Sequence, residues 1–435
     1  MSLGKLPEKF RKLDLQQRQE QVRLTFNPEQ EEWQAVAADS GLSDLADIMV
    51  ESAIGSLPVP LGIATGFLID GEKLSIPMAV EEPSVIAAAS YAAKILNQGG
   101  GLSTWGGQSL MTAQIFLEGA APEGEHQLRR REEQIGTLVD RIQPGMKARG
   151  GGFRGFELSR LPESDILVVG LRIDVRDAMG ANALNTAAEG VKSEIESLSG
   201  GRAVMCILSN AARERRSGAR FSLPVSKLSA AAAAGMEAEE VARRIVLASR
   251  IAEEDEQRAI THNKGIMNGI SALVLATLND TRAVEAAAHA WAARSGRYQP
   301  LSTYRLRGGS AESVGEQLLE GTIELPLAVG SLGGAVGFHP ASRLALRVLG
   351  FPGAQRLARI AAAVGLAQNF AAVLALVTGG IQRGHMKYHA ARLAYAAGAR
   401  GKEVRRVAEA VANEGQYSPE AAAGILRRLR REGKA

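Results

Sequence analysis

The chain has 435 residues, more than one ordinary domain contains. Its residues are 46% hydrophobic and 23% charged, a composition that excludes a disordered protein. A net charge of +4 is too small to indicate nucleic acid binding, and the single cysteine, Cys206, excludes an internal disulfide and fits a reducing compartment. The charged N-terminus lacks the apolar core of a signal peptide. We therefore expect a cytoplasmic protein of about two or three packed units.

The first hundred residues predict short helices and then a strand-rich segment. Residues 8–39 are polar and typical of helices, whereas the runs 62–70 and 73–80 are β-like and bounded by Gly and Pro. Glu81-Glu82-Pro83-Ser84 then precedes an Ala-rich run, 85–96, and Pro in this place is a helix-start signal. The two glutamates either complement the helix dipole, or one of them is a buried functional acid.

Residues 99–107 are Gly-rich and predict a flexible joint at a domain boundary. From 112 to 209 the pattern is β-α-β-α-β, with strands expected at 112–119, 166–175 and 203–209. The turn 176–182 opens the second helix, and backbone N–H groups at a helix start bind phosphate well. The GxGxxG fingerprint is absent, which argues against a Rossmann dinucleotide site.

From 212 onward, Ala- and Leu-rich runs predict mainly helices. Four glycines between 325 and 340 either admit a ligand close to the backbone or simply form tight turns. The apolar run 360–377 carries Gln368 and Asn369 at its centre, so we expect a buried helix and no membrane span. Gly379-Gly380 predicts a hinge before a small helical C-terminal unit.

The segment 258–280 combines polar residues with an apolar run. Its composition predicts a polar loop, a buried helix or strand, and a second polar turn, with Lys264 either solvated or poised beside a carboxylate. His385 and His389 are four residues apart, as are Glu285 and His289, but neither pair matches the zinc-binding motif HExxH, so no metal site is expected. The motif GxSxG is absent, so a serine hydrolase is not expected either. Glu82, Lys264, Asp280 and His385 suit carbonyl reduction, but their spacing leaves open whether they meet.

Several motifs resemble, in order along nearly the whole chain, those of class II 3-hydroxy-3-methylglutaryl-coenzyme A (HMG-CoA) reductases. They are PMAVEEPSVIAAAS (77–90), DVRDAMGAN (174–182), ILSN (207–210), THNKGIMNGI (261–270), the segment 279–290, VGLAQN (364–369) and GIQRGHMKYHA (380–390). The resemblance implies an α+β fold with a large, mainly helical substrate domain around a central helix (1–107 and 214–378). It also implies an inserted small ferredoxin-like, non-Rossmann cofactor domain (108–213) and a mobile C-terminal flap (379–435).

The implied reaction is a reversible, two-hydride reductive deacylation of HMG-CoA to mevalonate and coenzyme A, using two NADH or NADPH and no metal. In it, Lys264 stabilises the oxyanion, Glu82 and Asp280 form an acid network around that lysine, and His385 protonates the departing thiolate. The resemblance also implies self-association as a dimer or a trimer of dimers, with the site at the dimer interface. No nucleic acid or membrane partner is expected.

Further contacts are implied position by position. Those implied for the substrate are Arg258, Ser84, Asn268, Thr261 and Arg11; those implied for the cofactor are Asp177, Met179, Gly180, Asn182, Asn210 and Gln143. Gln143 stands where NADH-preferring relatives place an aspartate, and a neutral residue near Arg141 and Lys147 removes the repulsion of a 2′-phosphate.

The chain departs from the family pattern at three places. Ser52 replaces an asparagine, Leu278 replaces a glycine, and Val336 replaces a threonine. Two other interpretations are a coenzyme A thioester hydrolase or lyase that uses no hydride donor, and a non-catalytic helical scaffold.

Overall fold

Helices and three antiparallel sheets make up the computed structural model, which describes residues 13–26, 30, 43–106, 108–228, 236–308, 316–380 and 382–432. Of positions 22, 26, 43 and 382–388 only the helical backbone is described. The strands are Leu61–Ile69 (β1), Glu72–Ala79 (β2), Ser103–Gly106 (β3), Leu110–Glu118 (β4), Gly152–Arg160 (β5), Leu167–Asp174 (β6), Arg202–Leu208 (β7), Arg216–Pro224 (β8), Ser302–Arg307 (β9) and Leu318–Pro326 (β10).

The helices precede, separate and follow the strands along the chain. They are Leu15–Phe26 (α1), Ser43–Met49 (α2), Val85–Leu96 (α3), Pro122–Arg130 (α4), Glu132–Ile142 (α5), Pro144–Ala148 (α6), Ala181–Ser199 (α7), Ala238–Glu254 (α8), Glu256–Ala276 (α9), Thr281–Ala292 (α10), Gly334–Phe338 (α11), Pro340–Val348 (α12), Ala354–Val377 (α13), Gln382–Ala396 (α14), Lys402–Glu414 (α15) and Pro419–Arg431 (α16).

Helix α13 is the centre of the largest hydrophobic core. It packs against α9, α3 and the sheet β3-β8-β10-β9, and its residues from 360 to 371 are all buried. A helix that is apolar on every side is stable when every side is covered. Its length and composition would also allow it to cross a membrane, but 78% of its most apolar window is buried inside the protein. The predicted buried helix is confirmed.

A second core lies under the sheet β5-β6-β4-β7, whose neighbouring strands are all antiparallel. With α4 and α5 after β4, and α7 after β6, the chain order is β-α-β-β-α-β, the ferredoxin-like arrangement. The ferredoxin-like class is therefore confirmed. The sequence pattern missed β5, because Gly152 and Gly155 interrupt its apolar alternation, and it merged α4 and α5, which are separated at Arg131.

Two other sequence-based expectations were wrong. The expected flexible joint at 99–107 contains β3, which pairs with β8, and the region expected to be helical after 212 contains β8, β9 and β10. Strand β3 has only four residues, β8 and β10 mix polar residues with glycine, and both β3 and β10 pair with β8 far away in the chain. A local pattern therefore carries little information about their pairing.

The third core belongs to α14, α15 and α16 and is formed by residues such as Leu393, Val407, Val411 and Ile425. It follows Gly380, whose φ of +80° lies in the left-handed region. The domain limits given above stay a prediction.

Candidate active site

Helix α9 carries most of the polar residues singled out in the sequence. The Asp255 carboxylate accepts a hydrogen bond from the Arg258 backbone N–H at 3.0 Å and thereby caps the helix start. The expected polar loop at the beginning of this segment is therefore wrong, because one helix runs from Glu256 to Ala276. Arg258, Thr261, Lys264 and Asn268 are three or four residues apart, so they share one face of α9.

Lys264 reaches across to the turn that precedes α3. Its Nζ donates a hydrogen bond to Oε2 of Glu82 at 2.8 Å, which joins residues 182 positions apart. The Lys264 side chain is 62% exposed and the Glu82 side chain 33%, so the lysine lies beside a carboxylate but is not buried. The structure nevertheless brings together the predicted cation and the predicted acid.

The turn holding Glu82 is conformationally strained. Ser84 ends it with φ +76° and ψ −15°, a left-handed conformation that is uncommon for a residue other than glycine. The Ser84 hydroxyl is also buried without a hydrogen-bond partner among the described residues. Both features lower stability, and such residues are common at functional sites.

Two further side chains on the α9 face are polar and unpaired. Arg258 is half-buried, and its guanidinium makes no hydrogen bond or ion pair within the described residues. Burial lowers the pKa of Arg258, an effect that the nearby Asp255 carboxylate opposes. Asn268 is also half-buried, while Thr261 is exposed and its hydroxyl donates to the carbonyl of Gln257 at 3.1 Å. Arg258 is thus available for an anionic ligand.

Asp280 lies at the start of α10 rather than on Lys264. Its Oδ1 accepts a hydrogen bond from the Ala283 backbone N–H at 3.0 Å and lies 3.5 Å from the Arg282 guanidinium. The first N–H groups of a helix are unsatisfied and attract a carboxylate, which explains this position. Of the two acids implied around Lys264, only Glu82 contacts it among the described residues.

The sequence did not reveal the buried polar contacts that fix α9 to its neighbours. The buried His262 Nε2 lies 2.7 Å from the Ser302 hydroxyl, which donates to Oδ1 of Asn369 at 2.9 Å. The Tyr304 hydroxyl donates to the same Oδ1 at 2.7 Å. Burial first, and then the charge of Arg258, lowers the pKa of His262 to about 4. These polar contacts fix the helix to β9 and α13.

The predicted cofactor residues gather at one edge of the ferredoxin-like sheet. Strands β6 and β7 are both antiparallel to β4, so the turn 177–182 and Asn210 follow strand ends at the same edge. Gly180 has φ +107°, and a Cβ there would lie 2.9 Å from the Val175 side chain. Gln143 donates through Nε2 to the Ala183 carbonyl at 3.1 Å, which places it beside this turn.

Arg215 positions the turn and was also missed. It is buried and donates hydrogen bonds to the carbonyls of Ala178 at 3.2 Å, Met179 at 2.9 Å and Val329 at 2.6 Å. Burial lowers the pKa of Arg215 to about 10, although the charges of Asp174 and Asp177 oppose this shift. No local motif marks this arginine, because its three acceptors are backbone atoms far away in the chain.

Gly330 connects the two groups of predicted residues. A Cβ at this position would lie 2.4 Å from the Met179 backbone nitrogen, so only glycine allows the approach. On its other side, Asn279 accepts from the Gly330 N–H at 2.7 Å and donates to its carbonyl at 3.0 Å. The glycine therefore allows two backbone segments to pack closely, which is neither the ligand approach nor the tight turn that the sequence suggested.

Two adjoining cavities have volumes of about 440 and 320 Å³, and they are lined by Asp174 and by Asp177, respectively. They share Ser109, Arg176 and Gln355, and the arginines among their lining residues are Arg154, Arg172, Arg176, Arg356 and Arg359. Neither cavity includes Glu82 or Lys264. In a single chain, the arginine-lined cavities and the Lys264–Glu82 pair are therefore separate sites.

Two predicted site residues are not placed. His385 belongs to the backbone of α14, but its side chain lies outside the described residues, as does the whole of Arg11.

Comparison with known proteins gives one consistent family. The model of the hydroxymethylglutaryl-coenzyme A reductase family matches residues 14–390. The chain is 44% identical over 428 residues to a 3-hydroxy-3-methylglutaryl-coenzyme A reductase of Archaeoglobus fulgidus, covering 97% of this chain and 94% of the relative. It is 39% identical over 346 residues to a probable enzyme of that name from Borreliella burgdorferi, covering 78% and 76%.

Solved structures similar to this chain belong to the same family. A 3-hydroxy-3-methylglutaryl-coenzyme A reductase from Streptococcus pneumoniae superposes with a TM-score of 0.74 at 38% identity, covering 97% of this chain and 99% of that chain. A class II structure from the same organism, bound to NADPH in open conformations, gives the same TM-score and identity over 96% and 100% of the two chains.

Proposed function

The chain belongs to the hydroxymethylglutaryl-coenzyme A reductase family, and from this premise we propose which residues carry the reaction. The enzyme is an oxidoreductase that reduces the thioester of HMG-CoA. The proposal is that Lys264, Glu82, Asp280 and His385 carry out a two-hydride reduction to mevalonate and free coenzyme A. The observation that carries it is the 2.8 Å contact between Lys264 and Glu82, beside the strained and unsatisfied Ser84.

Each chemical step needs a charge that one of these residues supplies. In the first reduction the thioester oxygen becomes negative, and the Lys264 ammonium stabilises it. The resulting hemithioacetal expels coenzyme A as a thiolate, to which His385 donates a proton. In the second reduction the aldehyde oxygen receives a proton from the Glu82–Lys264 pair.

Asp280 joins this network through an exchange of partners. Its present partner, Arg282, is 87% exposed, and such surface ion pairs contribute little free energy. We propose that Asp280 turns toward Lys264 when substrate binds. Arg258, Asn268, Thr261 and the Ser84 hydroxyl then hold the hydroxymethylglutaryl end, with Arg258 paired to its free carboxylate.

The residues at the sheet edge fit a nicotinamide dinucleotide. Gly180 opens α7 in a conformation that leaves the helix start free of a Cβ, and the neighbouring cavities are lined by arginines suited to phosphate groups. Reduced nicotinamide supplies the hydride in both reductions. The neutral Gln143 beside the turn supports use of NADPH, with NADH as the alternative. Asp177, Met179, Asn182 and Asn210 are the proposed further contacts.

A dimer is the proposed working form, because the two groups of residues do not line the same cavity of one chain. The extended segment before and within β1 presents an apolar stripe, formed by Leu57 (86% exposed), Val59 (40%), Leu61 (45%) and Ile63 (50%). Apolar patches of this kind mark protein–protein contacts. A cytoplasmic location stays a prediction.

The test is the stoichiometry of the reaction with purified protein and HMG-CoA. Two hydride steps require about two cofactor molecules oxidised for each thiol released, measured in parallel with NADH and with NADPH. Lys264→Ala should lower kcat at least about 100-fold with a smaller change in KM, because its interaction forms in the transition state. The exposed Lys94→Ala serves as the control. A ratio near one, or thiol release without cofactor, would contradict the proposal and favour a hydrolase or lyase.

A further inference from the structure

The C-terminal helices form a unit with its own core, and this unit touches the active-site turn. Its apolar residues, including Leu393, Val407 and Ile425, pack on one another. Its helices are further joined by the ion pair between Arg430 and Glu403 at 2.7 Å. The connection to α13 runs through residues 378–381. The fold of this unit therefore depends little on how it is oriented against the rest of the chain.

One hydrogen bond from this unit ends on the peptide directly before the proposed catalytic acid. The Arg392 guanidinium, on the exposed side of α14, donates to the carbonyl oxygen of Glu81 at 3.4 Å. That carbonyl belongs to the peptide bond between Glu81 and Glu82. The neighbouring residues of α14, Ala390, Leu393 and Ala394, face the core of the C-terminal unit, so Arg392 points away from that core.

The location of this contact determines what it can control. Position 385 lies seven residues before Arg392 on the same helix, which is two turns or about 11 Å. The helix is rigid over this length, so anchoring Arg392 on the Glu81–Ser84 turn sets the position of residue 385 relative to Glu82. At 3.4 Å the bond is longer than usual for an N–H donor on a carbonyl, so it is weak.

We propose that Arg392 is a positioning residue that docks the C-terminal unit onto the Glu82 turn while the thiolate leaves. The inference rests on the proposed function, in which His385 protonates that thiolate. The proposed docking affects the two reductions differently. The thioester half requires position 385 to be docked, whereas reduction of the free aldehyde releases no thiolate and does not require docking.

The experiment compares Arg392→Ala, Arg392→Lys and Arg405→Ala in the full-length protein. Arg405 is a matched control, since it is an exposed arginine of the same unit and pairs with Glu409 on its own helix. With HMG-CoA as substrate, Arg392→Ala should lower kcat about tenfold, and Arg392→Lys should recover part of that loss. With the aldehyde supplied directly, all three variants should match the wild-type enzyme.

A second measurement does not depend on the chemistry. Gly379 and Gly380 are already exposed in the docked arrangement. Loss of docking frees this connection to fit a protease active site, so limited proteolysis there should be several-fold faster in Arg392→Ala than in Arg405→Ala. Equal proteolysis rates, or equal losses in the thioester and aldehyde reactions, would overturn the inference. Failure of the proposed function would be recognised separately, because the wild-type enzyme would then not give the two-to-one stoichiometry.

Discussion

Two departures of this chain from the family pattern fall on residues with positive φ. Leu278 has φ +50° and Ser52 has φ +62°, both in the left-handed region where glycine or asparagine is favoured. Leu278 follows α9 in a Schellman motif, in which its N–H donates to the Leu275 carbonyl and the Asn279 N–H donates to the Val274 carbonyl, both at 2.9 Å. The position requires a conformation that leucine adopts at a cost.

Replacing Leu278 with glycine should therefore relieve the backbone strain, while it removes a half-buried side chain. Leu278→Ala removes the half-buried side chain but keeps the Cβ, so it is the matched control. We expect the free energy of unfolding of Leu278→Gly to exceed that of Leu278→Ala by about 1 kcal/mol. Denaturant unfolding of the two variants measures this difference. A glycine variant no more stable than the alanine variant would refute the strain argument.

At the scale of elements, α9 has two faces with different tasks. Arg258, Lys264 and Asn268 lie on the face that carries the proposed chemistry. The buried face beside it is fixed by polar contacts such as that between His262, four residues after Arg258, and Ser302. The site is thus rigid because its supporting side chains are satisfied inside the core.

His262 makes the attachment of α9 sensitive to pH. Burial lowers its pKa from 6.5 to about 4, so the unfolded chain binds more protons than the folded chain between these values. The stability due to neutral His262 is fully present above pH 6.5 and is lost as the pH falls toward 4. Between pH 7 and pH 5 this loss amounts to about 2 kcal/mol.

Unfolding at these two pH values tests the assignment. His262→Gln retains a polar group toward Ser302 but does not titrate, so its stability should depend less on pH by about 2 kcal/mol. The exposed His126→Gln should behave like the wild-type protein. An unchanged pH dependence in His262→Gln would show that His262 is not the group responsible.

Elements with strong local signals were predictable from the sequence. Helix α3 after Pro83, the apolar α13, and strands β1 and β2 appear where their patterns indicate. The roles proposed for Glu82 and Lys264 came from ordered motifs, since their local context left both possibilities open. Arg215, Arg392 and the contact between Asn279 and Gly330 were not predictable. Each acts on backbone atoms of a distant segment, which side-chain patterns do not encode.

At the scale of the whole molecule, the apolar stripe along β1 bears on assembly. Leu61 lies on the stripe, and Leu247 lies on α8; both are 45% exposed. A glutamate placed in a protein interface is desolvated without a partner, whereas at a free surface it costs little.

Leu61→Glu should therefore dissociate the protein, and Leu247→Glu should not. Sedimentation equilibrium gives the mass of each variant, and the wild-type mass distinguishes a dimer from a hexamer. Activity should fall in parallel with dissociation, since the proposed site needs both subunits. If Leu61→Glu keeps the wild-type mass, the stripe is not the contact surface.

The contact between Lys264 and Glu82 also has a consequence for how the enzyme comes into being. The two residues are 182 positions apart, and the ferredoxin-like unit lies between them in the chain. At synthesis rates of about 5–20 residues per second, Glu82 leaves the ribosome roughly 10 to 40 s before Lys264. During that interval the nascent chain holds the acid without its cation. It becomes chemically competent only when most of its length has been translated.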